Sequence, residues 1–254
     1  FAAQKNRHKM NLVADIGNSS TKVAVFDGRS MVARLRTEGS PAGAFRELAE
    51  KFPLRHAVIS VVGRKEESVW NTLKTICPDA LFVTGTTPTP LRVCYDNPQT
   101  LGPDRLAAAV GAAALRPKTE LLIIDIGTCL TFDRVSADGR YLGGNISPGL
   151  GIRFRALHEQ TAALPLVTAE ETAPQWGTDT VSAIRAGVMT GTEWEIEGCI
   201  RAFRKEFPDA PVFLTGGNAR KFCHGIPVER QEALVETGLN EILLHHLSQQ
   251  PQTD

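Results

Sequence analysis

The chain has 254 residues, and its 28 Lys and Arg residues balance its 28 Asp and Glu residues, so the formal net charge is zero. This length is sufficient to bury the core of one large domain or of two lobes. Because neither sign of charge forms a long run, we expect neither nucleic acid nor a membrane surface to be the principal partner.

The cysteines and the N-terminal segment favour a cytoplasmic protein. The five cysteines are widely spaced, without a Cys-x-x-Cys pair or zinc-type spacing, and we expect reduced thiols. The longest apolar stretch, residues 106–115, is far shorter than the about 20 residues that a transmembrane helix needs. Residues 1–9 are polar and do not begin with Met, so we expect them to be a remnant that precedes a native start at Met10.

The first half of the chain is predicted to fold in the order βββαβα. After Met10, two apolar runs separated by a Gly turn predict antiparallel strands, and Asp27-Gly28 marks the next hairpin turn. Helical apolar spacing then covers residues 44–52, a short buried strand covers 57–62, and a second helix covers 66–76. An Ala-rich helix at 106–115 ends this half.

The second half repeats the opening pattern. From Leu121 an apolar strand runs into Asp125-Ile-Gly-Thr and a second strand, as the opening strand runs into Asp15-Ile-Gly-Asn. A long helix, a strand at 212–215 and a closing amphipathic helix at 232–247 follow. The repeat predicts duplicated α/β lobes with a cleft between them, divided into residues 10–117 and 118–254.

The two Asp-Ile-Gly turns are the predicted nucleotide site. Each places a carboxylate beside backbone N–H groups that a phosphate can approach. One such turn could be an ordinary hairpin, but two can clamp nucleotide phosphates, and phosphoryl transfer depends mainly on positioning and charge stabilisation. P-loop and protein-kinase motifs are absent from the sequence. Gly216-Gly217 could bind the adenosine end of the nucleotide. An ordinary turn that needs a positive φ explains these two glycines equally well.

Asp104 and Arg105, at the mouth of the Ala-rich helix, are candidate substrate residues. Asp104 could act as a base and Arg105 could hold a carboxylate with its forked guanidinium. The alternative is that Asp104 only provides a favourable charge at a helix N-terminus.

The long helix that follows Trp176-Gly-Thr-Asp-Thr carries small residues on one face. Its Thr or Asp residues could be a simple N-cap. Ala183, Gly187 and Gly191 recur at four-residue intervals, so another helix could approach closely, either from the same lobe or from a partner subunit.

Together these motifs resemble the type III pantothenate kinases, within the acetate kinase, sugar kinase, heat-shock ATPase and actin superfamily. The resemblance covers nearly all of residues 10–247 and rests on Asp15-Ile-Gly-Asn-Ser-Ser-Thr-Lys, Tyr95 with Gly102-Pro-Asp-Arg, Asp125-Ile-Gly-Thr, Gly143-Gly-Asn-Ile-Ser-Pro-Gly and Gly177-Thr-Asp-Thr. It implies an α/β, two-lobed ribonuclease-H-like (actin-like ATPase) fold with mixed sheets. The implied activity is ATP-dependent phosphorylation of pantothenate to 4'-phosphopantothenate, the first step of coenzyme A biosynthesis.

The resemblance also implies residue roles. Asp104 would be the general base that takes the proton of the pantothenate hydroxyl. Asp15 would help to place magnesium, and Asp125 would bind a monovalent cation, potassium or ammonium. The residues implied for pantothenate are Tyr95, Gly102, Pro103, Asp104, Arg105 and Thr180, and those for ATP are Asp15, Ile16, Gly17, Asn18, Ser19, Ser20, Thr21, Lys22 and Thr128.

The family is usually a homodimer, with the pantothenate pocket near an interface formed by the long second-lobe helices. Two alternative functions stay open at this point. An ATP-binding regulator, such as a transcription accessory factor of the same fold, is one, although the intact Asp104-Arg105 pair favours the enzyme. A sugar or acetate kinase is the other, and the short chain disfavours it.

Overall fold

A computed structural model describes residues 10–63 and 66–250, and the predicted remnant at 1–9 lies outside this part of the chain. The chain forms two compact units. The first contains the described residues up to Leu115 together with those from Ala233 onward, and the second contains residues 116–232. Within the described residues no helix is both long enough and apolar enough to cross a membrane.

The first unit contains a mixed sheet and four helices. The strands are β1 (Met10–Ile16), β2 (Thr21–Asp27), β3 (Ser30–Thr37), β4 (Leu54–Val61), β5 (Leu81–Phe82) and β6 (Arg92–Val93), and the helices are α1 (Ala42–Lys51), α2 (Glu67–Ile76), α3 (Pro103–Leu115) and α6 (Leu234–Gln249). The sheet contains five of these strands, without β6, in the order β3-β2-β1-β4-β5, and β1 pairs antiparallel with β2 and parallel with β4. The predicted βββαβα order is confirmed.

The pleat of this sheet directs alternate side chains to two different faces. Leu12, Ala14 and Val23 lie on one face and form a buried core with apolar side chains of α1 and α2. Asn11 lies on the opposite face, where its Nδ2 donates to Oδ1 of Asn240 in α6 at 3.0 Å. The second face therefore carries polar side chains that meet α6.

Helices α3 and α6 pack closely because glycines lie at their contact. A Cβ at Gly238 would overlap the carbonyl oxygen of Ala107, and one at Gly111 would overlap that of Leu234. The predicted boundary differs here: residues 118–254 were assigned to the second lobe, whereas α6 packs on α3, β1, β2 and β4. The physical reason is that the glycine-lined contact with α3, together with the packing on the first sheet, buries the apolar side chains of α6.

The second unit repeats the plan of the first. Its strands are β7 (Leu121–Ile126), β8 (Cys129–Val135), β9 (Arg140–Pro148), β10 (Val212–Thr215) and β11 (Glu229–Arg230), and its helices are α4 (Leu150–Glu159) and α5 (Thr180–Glu206). Strands β7, β8 and β9 form an antiparallel meander, and β10 pairs parallel with β7. The duplicated α/β pattern is therefore present in both units.

Candidate active site

The turn between β1 and β2 is closed by a backbone hydrogen bond. The N–H of Gly17 donates to the carbonyl of Ser20 at 3.1 Å, and a Cβ at Gly17 would lie only 3.3 Å from that oxygen. Asn18 and Ser19, at the tip of the turn, are exposed. The turn thus presents backbone and small polar groups that a phosphate could reach.

Asp15 is a buried carboxylate at the end of β1, with 5 % of its surface exposed. The neighbouring strands place Lys22 and Ser60 directly beside it, because residues paired across a sheet share one face. The Ser60 hydroxyl donates to Oδ1 at 2.9 Å, and Lys22 Nζ lies 3.4 Å from Oδ2. Asp15 is therefore oriented on both oxygens.

Asp104 lies in the first turn of α3, and its Oδ1 accepts the N–H of Arg105 at 2.9 Å. Burial raises the pKa of the Asp104 carboxyl, and the charge of Asp15 raises it further, while the Arg105 N–H and guanidinium oppose the shift. A Cβ at Gly102 would lie 2.6 Å from Asp104 Oδ1, so the glycine leaves room for this carboxylate. Asp104 thus has both features considered from the sequence: it lies at the N-terminus of a helix, and its pKa is shifted in the direction that suits a base.

Arg105 is also buried, with 7 % of its surface exposed, and its guanidinium carbon lies 6.0 Å from the centroid of the Tyr95 ring. This distance is suitable for a cation–π contact. The predicted substrate residues Tyr95, Gly102, Pro103, Asp104 and Arg105 are thus brought together within the first unit.

The turn between β7 and β8 is also closed by its glycine N–H but is one residue shorter. The N–H of Gly127 donates to the carbonyl of Cys129 at 2.9 Å, and β10 places Thr215 beside Asp125. Gly216 follows with φ +96°, and a Cβ there would overlap Asp125 Oδ1. Gly216 therefore fits the interpretation as a turn residue, because its positive φ and the adjacent Asp125 carboxylate both require a glycine.

Thr180 is the first residue of α5 and is exposed. The N-cap is Asp179, whose Oδ1 accepts the N–H groups of Val181 and Ser182 at 2.9 and 3.1 Å. Capping is thus the role of Asp179, and Thr180 is not needed for it. Thr180 and Thr128 lie in the second unit, so their roles toward pantothenate and ATP stay predictions.

The described residues contain no cluster of three or more His, Cys, Asp or Glu side chains that could hold a metal ion. Magnesium often binds through one or two carboxylates together with substrate phosphates and water. The single oriented carboxylate of Asp15 fits that mode, in which the nucleotide supplies the other ligands.

The sequence analysis missed Glu236, a fully buried carboxylate in α6. Arg34 of β3 donates to its Oε1 at 2.8 Å. The signal was available: Glu236 lies one turn before Leu239 on the apolar stripe of α6, and a charged residue at such a position needs a partner.

Comparisons with known proteins identify the family. The family model for type III pantothenate kinase matches residues 11–202. A type III pantothenate kinase from Bacteroides fragilis is 42% identical over 236 residues, which cover 92% of this chain and 97% of that protein. Both results extend over most of the chain, and the residues matched by the family model include the motifs from Asp15-Ile-Gly-Asn to Gly177-Thr-Asp-Thr.

Solved structures agree on the fold. A protein from Campylobacter jejuni, named as a Baf family transcriptional activator, aligns with a TM-score of 0.59 at 19% identity, over 93% of this chain and 99% of that one. A ROK family protein from Streptococcus pneumoniae, solved with sucrose, aligns with a TM-score of 0.51 at 10% identity, over 95% and 100%. At these identities the likeness shows the fold alone, and the predicted ribonuclease-H-like (actin-like ATPase) α/β fold is confirmed.

The chain therefore belongs to the type III pantothenate kinase family, and the predicted activity, ATP-dependent phosphorylation of pantothenate in coenzyme A biosynthesis, is confirmed with it.

Proposed function

We propose that Asp104 is the general base of this pantothenate kinase. The observation that carries the proposal is the raised pKa of Asp104, which burial and the charge of Asp15 produce. A base whose pKa lies closer to the working pH accepts a proton more effectively. Asp104 takes the proton of the pantothenate hydroxyl, the hydroxyl oxygen bonds to the γ-phosphorus of ATP, and the bond to ADP breaks.

Arg105 holds the carboxylate of pantothenate. A guanidinium can bind a carboxylate through two parallel hydrogen bonds, and packing on an aromatic ring restricts its orientation. The position of Arg105 above Tyr95 supports this role. Gly102, Pro103 and Thr180 are assigned to the same substrate by their match to the motifs of the family.

The β1–β2 turn, residues 15–22, binds the phosphates of ATP, and Thr128 is assigned to ATP by its match to the motif of the family. Asp15 helps to place Mg²⁺, an assignment supported by its buried carboxylate and the hydroxyl of Ser60. When bound, the ion would offset negative charge on the transferred phosphoryl group. The carboxylate of Asp15 and the ammonium of Lys22 would orient the complex of metal and nucleotide.

Asp125 binds potassium or ammonium at the β7–β8 turn. The assignment rests on the match of Asp125 to the motif of the family, and the backbone of Gly216 packs against this carboxylate, since a Cβ there would overlap Asp125 Oδ1. The cation would offset part of the negative charge of the nucleotide phosphates.

A homodimer assembles through α5. Ala183 and Gly187 are exposed, so no helix within the described residues covers these two positions of the small-residue stripe. Trp176 and Trp194 are 74% and 47% exposed, with ring centroids 6.2 Å apart. Exposed apolar clusters of this kind mark interaction surfaces. Since Thr180 begins the same helix, this dimer would place it near the partner subunit.

The five cysteines are all free thiols, which supports a reducing compartment, the cytoplasm. The experiment that tests the function is a radiolabel transfer assay from ATP over a panel of pantothenate, sugars and short acids. We expect transfer to pantothenate alone. ATP binding without transfer to any acceptor would contradict the kinase and favour the regulator of the same fold.

A further inference from the structure

Two buried carboxylates and two partly buried cations lie on the α6-facing side of the first sheet. Asp15 of β1, Lys22 of β2 and Arg34 of β3 lie on this face, and Glu236 enters from α6. Lys22 Nζ lies 3.4 Å from Asp15 Oδ2, and Arg34 Nη2 lies 2.7 Å from Glu236 Oε1. The two negative and two positive charges of this group thus sum to zero.

The strand register places Lys22 on the same face of the sheet as Arg34, the partner of Glu236. Arg34 pairs with Ala24, and Lys22 lies two residues before Ala24, so both cations project from the same face as neighbours. Ala24 between them is small and fully buried, which leaves space for α6. A carboxylate from α6 can therefore reach both cations.

The electrostatics of Glu236 support the same arrangement. Burial raises the pKa of Glu236, and among the groups that lower it the charge of Lys22 comes first and that of Arg34 second. The negative charge of Asp15 acts in the raising direction. The Lys22 ammonium thus interacts electrostatically with the carboxylates of both Asp15 and Glu236.

One oxygen of Glu236 is unsatisfied. Oε1 accepts from Arg34, whereas Oε2 is buried and accepts no hydrogen bond from any described residue. Leaving a buried charged acceptor unpaired is costly, so such a group in a native structure needs an explanation. An acceptor kept available for the Lys22 ammonium provides one.

We propose that Glu236 is a positioning residue that holds the Lys22 ammonium beside Asp15 from α6, so that Lys22 is presented to the phosphates of the nucleotide. The inference rests on the proposed role of residues 15–22 in ATP binding. Glu236 itself touches no substrate. Its effect passes through Lys22, whose flexible side chain would otherwise sample many rotamers.

The main test is Glu236→Gln, which keeps the size of the side chain and the acceptor for Arg34 but removes the charge. Removing a residue that orients a ligand-binding group typically lowers affinity or activity about 10–100-fold. We expect the KM for ATP to rise about tenfold while the KM for pantothenate changes less than about twofold, with the same selective loss in the Kd for ATP by calorimetry.

The matched control is Glu241→Gln. Glu241 is also a nearly buried carboxylate of α6, and it pairs with Arg29 of the β2–β3 turn at 2.6 Å. Its partner is at the other end of the hairpin from Lys22, so nucleotide binding should be unchanged. If both variants alter the KM for ATP and the KM for pantothenate equally, the role of Glu236 is structural and the proposal is wrong.

Lys22→Met separates this inference from the proposed ATP site. We expect Lys22→Met to weaken ATP binding and the Lys22→Met, Glu236→Gln double variant to be no weaker, because both changes remove one interaction. If Lys22→Met weakens ATP binding but Glu236→Gln does not, only the positioning role fails. If Lys22→Met has no effect, the assignment of residues 15–22 to ATP fails, and the inference fails with it.

Glu236→Asp serves if the glutamine variant does not fold. It retains the charge but withdraws the carboxylate by one methylene from Lys22, so the KM for ATP should still rise severalfold. A soluble Glu236→Asp enzyme with an unchanged KM for ATP would overturn the proposal.

Discussion

The two Asp-Ile-Gly turns are closed in a similar way but differ in what surrounds their carboxylates. In both, the glycine N–H donates to a backbone carbonyl within the turn, and a parallel strand places a hydroxyl residue, Ser60 or Thr215, beside the aspartate. The Asp15 carboxylate lies within ion-pair distance of Lys22, and its charge raises the pKa of Asp104. The Asp125 carboxylate packs against the backbone of Gly216, where a Cβ would overlap Oδ1.

This difference shows how one duplicated motif can be given two environments. A carboxylate among fixed charges can orient a divalent ion and shift the pKa of a neighbouring acid, whereas a carboxylate packed against backbone restricts the residue beside it to glycine. Nothing in the tripeptide distinguishes the two environments. Each of the following substitutions tests one side of this comparison.

The largest effect is expected for Asp104→Asn, on the charged side of the comparison. Turnover should fall about 10²–10⁴-fold, since that is the usual contribution of a general base, while ATP binding is retained. Saturation kinetics with both substrates and calorimetry with ATP measure this. A variant with near-normal turnover would remove Asp104 from the mechanism.

The pH profile gives a second measurement at the same residue. Because the pKa of Asp104 is raised, the base is ionised and active above that pKa and is lost as the pH falls through it. The wild-type kcat/KM should therefore have an acid limb at a higher pH than the ordinary pKa of an aspartate would give. The limb should be absent from the residual activity of Asp104→Asn, and its persistence would assign it to another group.

Asp125→Ala tests the proposed cation site at the β7–β8 turn. Activity should rise with potassium or ammonium in the wild type, and the variant should lose that response, with a loss of about tenfold. One charge a few ångströms from a phosphate contributes roughly 1–4 kcal/mol. Rates are compared in sodium and in potassium at fixed ionic strength. Equal rates in both ions, together with a harmless Asp125→Ala, would show that the cation assignment is wrong.

Gly216→Ala should have an intermediate effect. The φ of +96° is strained for alanine, and the Cβ would overlap Asp125 Oδ1, so we expect a loss of about 1–3 kcal/mol in the free energy of unfolding. Gly217→Ala is the matched control, because a Cβ there meets no atom within 4 Å. Urea unfolding measures both, and equal stabilities would refute the close packing at the second turn.

The smallest effect is expected for Gly187→Leu on α5, which lies outside both turns. A bulky side chain on the exposed stripe should weaken the dimer, lowering the mass seen by light scattering and raising the KM for pantothenate a few-fold while the KM for ATP is unchanged. Gly187→Ala keeps the stripe small and should stay dimeric. A folded Gly187→Leu dimer with an unchanged KM for pantothenate would place the interface elsewhere.

Local patterns in the sequence determined much of this protein. The hairpins around Asp15 and Asp125, the helix that begins at Pro103 and the long helix that begins at Thr180 depend on turn residues and apolar periodicity, which act over a few neighbouring residues. The family motifs lie in those same segments, so the sequence was sufficient to predict the fold, the family and the activity.

Tertiary structure decided what local patterns cannot encode. Helix α6 joined the first unit because Gly238 meets Ala107, and Glu236 became buried because Arg34 lies opposite it. The influence of Asp15 on the pKa of Asp104 and the exposure of Gly187 likewise depend on residues far apart in the chain. Burial and charge contacts act through space, and a periodic pattern reports which face of an element is apolar but not which element covers it.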